Sequence, residues 1–227
     1  MADFPRIVLW AWERPENLEF IDPRRVGIAF LARTLYLRGE AVVVRPRLQP
    51  LQVPTGTALM AVVRIESDRT RPPDLSPGQR AAAVAAVAEL AHKPAVAAIQ
   101  VDFDATTSER AFYRELLIAL RRQLPHSMAL SITALSSWCL YDNWLAGLPI
   151  DEAVPMLFRM GPDRQQIRRY LESGGDFRTA LCRDSLGLST DEPLPRLPAG
   201  RRIYVFHPRT WSATAADNVI KEVRKWQ

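Results

Sequence analysis

The chain has 227 residues, 48% of them hydrophobic and 24% charged, the make-up of a globular protein with enough apolar material for one sizeable core. No apolar run is long enough to span a bilayer. The opening residues, MADFPRIVLWAW, lack a basic segment ahead of a long apolar one, so no signal peptide is expected: the chain is cytoplasmic as written, or exported with its signal removed. The net charge of +5 and the pI near 9.6 invite a nucleic-acid partner. However, the basic residues are scattered, and their tight clusters are pairs such as Arg24–Arg25 and Arg121–Arg122. Only three of the thirty are lysines, and no nucleic-acid motif accompanies them, so none is expected to bind. Cys139 and Cys182 allow at most one internal disulfide and match no metal-ligand spacing, so neither metal nor cofactor is expected.

In chain order, the first strand is predicted at 6–12, RIVLWAW. Residues 26–45 read as two extended segments around a turn at Arg38-Gly39-Glu40, and 58–66 is the next strand. Ser76, Pro77 and Gln79 have the spacing of a capping box and open an Ala-rich helix that Pro94 closes. A strand over 96–104 follows, then a helix capped by Ser108 and stopped by Pro125. Further strands are predicted at 128–135, 153–160, 179–185 and 202–207, with helices near 141–147, over 162–172 and over 213–226. The segment GLSTDEP, 187–193, reads as a loop in which Asp191 and Glu192 either meet a ligand or face solvent.

Strand and helix alternate with short connections, which implies parallel strands joined by crossover helices. Six strands from residue 58 onward and two strand regions before it give eight. The expected fold is therefore α/β, an irregular (β/α)8 TIM barrel forming a single domain over 1–227, with its first third short of helices. An open doubly wound sheet is the alternative, but no Gly-rich phosphate loop follows an early strand.

Strand alternation puts Ile99, Val101 and Phe103 on one face and Ala98, Gln100, Asp102 and Asp104 on the other. The apolar set is expected to pack outward on helices, and the acids to point inward at the carboxyl end, where barrel active sites lie. Arg64 and Glu66 end one strand in phase, Ser131 and Thr133 share a face of another, and Trp10, Trp12 and Glu13 end the first. Trp138 follows the fifth strand, while His207 and Trp211 follow the last. Acids between indoles make up a carbohydrate site; the alternative for Arg64 and Asp102 is a structural bridge, which the position at the carboxyl end of a strand disfavours, and each Trp taken alone reads at least as well as core.

The strings IQVDFDA and LSITALSSW resemble the fourth and fifth strands of chitinase-like, family 18-type glycoside hydrolase barrels, whose fourth strand carries D-x-x-D-x-D-x-E. PMLFRM is similar to their sixth strand, M-x-Y-D, and Trp211 to the Trp at the floor of their sugar site. More closely, QVDFDA, SITALSSWC, DEAVPMLFRMG, GLSTDEP and YVFHPRTW resemble an uncharacterised bacterial domain-of-unknown-function family of such barrels. The resemblance implies a glycoside hydrolase with Asp104 at the position of the catalytic Glu and Asp102 at that of the last supporting Asp. Gln100 and Ala97 stand where the other two Asp residues would be, Phe158 replaces the Tyr, and Arg159 the following Asp. With the Tyr missing, an ordinary two-carboxylate mechanism is expected. Asp104 is then the general acid, with Glu66, Asp102 or Glu13 as partner. Substrate-binding roles fall to Glu13, Trp12, Arg64, Gln100, Trp138, Arg159, His207 and Trp211, and the ligand is expected to be a neutral saccharide or another small molecule. The alternative is a catalytically degenerate barrel that binds a glycan or a partner protein.

Overall fold

The computed structural model of the chain describes residue 1, residues 4–193 and residues 198–225. Eight strands form the barrel: β1 (Ile7–Ala11), β2 (Val26–Arg38), β3 (Leu59–Ser67), β4 (Val96–Asp102), β5 (Ala129–Leu135), β6 (Glu152–Met156), β7 (Ser185–Ser189) and β8 (Arg202–Phe206). Each pairs in parallel with the next. β1 also pairs with β8, setting Ile7 against Ile203, and this closes the sheet.

Alternation along the strands sorts the side chains into two layers. Val8, Trp10, Ala29, Met60, Val62, Ala98, Val154 and Tyr204 fill the interior, large rings lying against small residues. Leu9, Ile28, Ala61, Val63, Ile99 and Val101 face outward into the core shared with the helices. Phe103 meets Tyr113 edge-on at 5.2 Å, so the expected phase of β4 holds. At the amino end of the barrel, Glu152 takes hydrogen bonds from Arg202 (2.7 Å) and from Tyr204, which plugs the interior with a buried ion pair.

The helices are α1 (Pro77–Ala88), α2 (Arg110–Gln123), α3 (Ser136–Tyr141), α4 (Arg164–Glu172) and α5 (Ala213–Arg224). Ser76 caps α1, accepting from the Gln79 amide at 3.1 Å. The Gln79 side chain accepts from Leu75 N (3.0 Å) and donates to the Gly39 and Ala41 carbonyls, fastening the turn that follows β2. Ahead of α2 the cap is Thr106, not Ser108. Glu109 closes the box three residues later through Thr106 N at 2.7 Å and also accepts from Ser67. Thr106→Ala is expected to lower stability by about 1 kcal/mol, seen as a lower denaturation midpoint at unchanged slope. An unmoved midpoint would mean that Glu109 holds this turn without its partner.

Several element boundaries differ from expectation, and β4 ends at Asp102 rather than 104. α3 begins directly after β5, so the helix is at 136–141 and the predicted 141–147 is turn. β7 lies at Ser185–Ser189 rather than 179–185, and part of GLSTDEP is therefore strand. β6 ends at Met156, leaving the rest of the predicted strand as loop. As expected, the first third lacks crossover helices: β2 runs on past the barrel and pairs antiparallel with an outer strand, Ala41–Pro46, through the turn at Gly39 (φ 52°). Cys139 in α3 and Cys182 ahead of β7 form a disulfide, both residues being fully buried. Among the described residues, no helix is long and apolar enough to cross a membrane.

Candidate functional site

A cavity of about 420 Å³ opens at the carboxyl ends of the barrel strands. Its floor is Trp10, whose indole N–H donates to Gln100 Oε1 at 2.9 Å, while the Gln100 amide donates to Ser131 Oγ at 3.1 Å. One pleat higher, Asp102 accepts from Thr133 Oγ1 at 2.6 Å and from Arg64 Nη1 at 3.4 Å. Arg64 turns its Nε to Glu66 at 2.6 Å, and its guanidinium lies 5.9 Å from the Trp12 ring centre. The opposite wall is aromatic. Phe158 and Phe206 stack in parallel at 5.8 Å, Trp12 meets Phe206 edge-on at 6.2 Å, and Trp10 approaches Phe158 at 6.1 Å.

Asp104 stands at the rim, exposed, with no ion pair or hydrogen bond to a described residue. Partial burial pushes its carboxyl above the ordinary range, and the Arg64 charge offsets part of that rise. Asp102 is pushed the same way by burial, opposed by Arg64 and Thr133 and reinforced by Asp104 and Glu66. Burial alone would lower Arg64, but Asp102, Glu66 and Asp104 more than offset it and hold its proton more tightly than usual. Desolvation therefore leads here, and repulsion among crowded carboxylates is secondary.

The expected residues divide. Asp102, Asp104, Trp12, Arg64 and Arg159 line the cavity. Glu66 does not line it and serves as the second partner of Arg64. Glu13 turns outward to Arg45 at 3.1 Å. Gln100 lies fully buried below the floor. Trp138 is behind the barrel wall, packed on Trp144 at 4.9 Å, because the early start of α3 turns it into the outer core. Trp211 is also outside the cavity: its N–H donates to Trp10 O at 2.9 Å and its ring faces His207 at 4.8 Å. His207 bonds Thr190, and its pKa is lowered by burial and then by Arg209 and Arg14.

Other lining residues were not predicted: Phe206, Met156, Ser136, Asp163 and Arg164. Phe206 was detectable from its phase with Tyr204, whereas Asp163 and Arg164 open α4, and the predicted helix over 162–172 carried no sign that its start faces the cavity. Glu192 is mostly buried and taken up by protein partners. It accepts from the Arg159 peptide N–H at 2.7 Å and pairs with Arg164 (2.9 Å) and Arg168 (3.2 Å), clamping that loop against the end of β7. Among the described residues, no three His, Cys, Asp or Glu side chains are grouped to hold a metal ion.

Residues 55–155 match a domain of unknown function, DUF3142. No curated protein matches the chain. Among solved structures, a chitinase (RmChi1) from Rhizomucor miehei is similar with a TM-score of 0.52 and 11% identity, over 81% of this chain and 68% of that one. The chitinase domain of the spore coat protein CotE from Clostridium difficile gives a TM-score of 0.46 and 14% identity, over 96% of this chain and 71% of that one. The likeness to the first is one of fold alone, a (β/α)8 TIM barrel.

Proposed function

We propose that the cavity binds a saccharide and cleaves a glycosidic bond, with Asp104 as general acid. The observation that carries this reading is Asp104 itself, a carboxyl with a raised pKa and no partner among the described residues, facing an aromatic wall at the carboxyl end of a barrel. The stacked Phe158 and Phe206 and the Trp12 ring offer the apolar surfaces that the C–H faces of a sugar pack against. Asp102, tied to Thr133 and Arg64, holds Arg64 and its charge beside the acid.

Hydrolysis needs a second carboxylate. Asp163 lines the same cavity from the loop ahead of α4, and its side chain forms no cap bond to the helix. In an inverting reaction Asp104 gives its proton to the glycosidic oxygen as the C1–O bond breaks. Asp163 takes a proton from the water that adds to C1, so atoms and charge balance. A non-hydrolytic glycan-binding module is the second reading. It is favoured by Arg64, which commits both Asp102 and Glu66, two of the three predicted catalytic carboxylates.

Titrating oligosaccharides while following Trp fluorescence tests the shared premise. A saturable change is expected, with affinity lowered about tenfold in Trp12→Ala. If no neutral or acidic saccharide binds at millimolar concentration, both readings fall. Product formation from a glycoside panel then separates hydrolase from binding module. For a hydrolase, the rate should decline on the alkaline side as Asp104 loses its proton. Arg64→Gln removes the cation that restrains Asp104, so that limb should move to higher pH. A limb that stays in place would take Asp104 out of the acid role.

A further inference from the structure

We infer that the saccharide is an acidic one, with a carboxylate such as that of a uronic acid read by Arg159; the inference rests on the proposed function. Arg159 holds φ of 49°, the left-handed region that a long side chain rarely occupies. Such a backbone persists where its surroundings over-determine it, and it concentrates at ligand sites. Here the surroundings are visible: Glu192 takes the Arg159 peptide N–H and, with Arg164 and Arg168, pins the loop. The conformation lays the Arg159 guanidinium over the Phe206 ring, 5.0 Å from its centre, on the same aromatic wall that would carry a sugar.

The cations of the cavity differ in what they still have to offer. Arg64 is taken up by Asp102 and Glu66, and Arg164 by Glu192. Among the described residues, Arg159 has only a long side-chain contact, 3.8 Å, to Asp191, an exposed carboxylate that also accepts from Ser189. An exposed pair at that distance contributes little and is readily exchanged. A planar guanidinium backed by a ring and left with open N–H groups suits a carboxylate, which it meets through two parallel hydrogen bonds. The acids that line the cavity limit any attraction: Asp102 is paired with Arg64, Asp104 binds its proton more tightly than a free carboxyl, and Asp163 remains. Asp191 would turn aside or share the guanidinium. The net charge of +5 works in the same direction for an anionic ligand.

The test uses matched probes that differ at one carbon: methyl β-glucuronide against methyl β-glucoside, and methyl α-galacturonide against methyl α-galactoside. Binding is followed by the Trp indole resonances in NMR at low salt. At least one uronide should bind about tenfold more tightly than its neutral partner, and the difference should shrink as salt is raised. Arg159→Gln should abolish the preference, so that uronide and neutral sugar bind alike. Arg159→Asn suits the left-handed backbone, so it should do the same with the fold intact, and Asp104→Asn should retain the preference. Equal or tighter binding of the neutral sugars overturns this inference and leaves the saccharide reading standing. Inorganic phosphate binding as tightly as the uronide would reduce the feature to a general anion site and also overturns it. Absence of binding by any of these sugars overturns the inference, and the oligosaccharide titration then decides whether the reading beneath it falls as well.

Discussion

Asp104→Asn is expected to lower kcat by about 10²–10⁴, the range over which a positioned general acid contributes. The amide keeps the shape of the carboxyl but cannot deliver its proton to the leaving oxygen. A 2,4-dinitrophenyl glycoside departs with little help from an acid, so the loss should shrink on that substrate. Stability should respond in the opposite direction. The folded state raises the carboxyl pKa, so it binds this proton more tightly than the unfolded chain does. The favourable contribution is present below the unfolded pKa and is lost as pH rises through the folded one, leaving the ionised group unfavourable at neutral pH. Asn carries no charge, and the melting temperature should hold or rise. Unchanged kcat on both substrates would remove Asp104 from the chemistry, and a large fall in melting temperature would make it a structural residue.

Replacing Cys139 and Cys182 together by Ala should cost about 4 kcal/mol, because the disulfide closes a loop of 43 residues in the unfolded chain. For a chain of this size that corresponds to a melting temperature lower by roughly 8–16 °C. Both sulfurs belong to fully buried residues, so thiol reagents should find nothing to titrate until the protein is reduced and unfolded. The bond ties α3 to the segment before β7, and Cys139 O also accepts the Arg178 and Thr179 amides at 3.0 and 3.2 Å. Since Ser136 and Ser137 of α3 line the cavity, ligand affinity should drop with stability. A fall in melting temperature of only a degree or two would show that these backbone bonds hold the segment without the crosslink.

The barrel was legible because most of its strands alternate, with irregularities near Leu31–Arg33 and Leu59–Met60. Ala98 and Ile99 point in opposite directions in the sequence pattern and in the fold, and the acids of β4 followed from the same count. The Ser76 cap was legible at its own position, but the cap ahead of α2 was missed by two residues. Thr106 and Ser108 both precede an acid, and only the reach of Glu109 back to Thr106 N decides between them. The site divided on a different line. A strand's phase says which side chains enter the barrel but not how high they stand, so Gln100 fell below the cavity while Asp102 and Asp104 reached it. Asp104, two residues past the end of β4, still kept the phase, but it is lost farther out. Trp138 and Trp211 were matched to the mouth by position in the chain, and a short helix and a buried indole bond took them elsewhere. The Arg159–Arg164 side of the cavity depends on Glu192, some thirty positions away, an association that no local pattern records.

The seam between β1 and β8 has a consequence for how the protein is made. Ile7 lies against Ile203, so β1 must wait until the chain has been made as far as β8 before one of its two edges is covered. Until then the nascent protein is an open sheet with bare N–H and C=O groups along β1 and β7, a surface that recruits other chains. Contacts this distant in sequence form late and slowly. Chains stalled or truncated before Arg202 should therefore aggregate rather than fold to a seven-stranded barrel, and holdase chaperones should engage synthesis until the last strand is released.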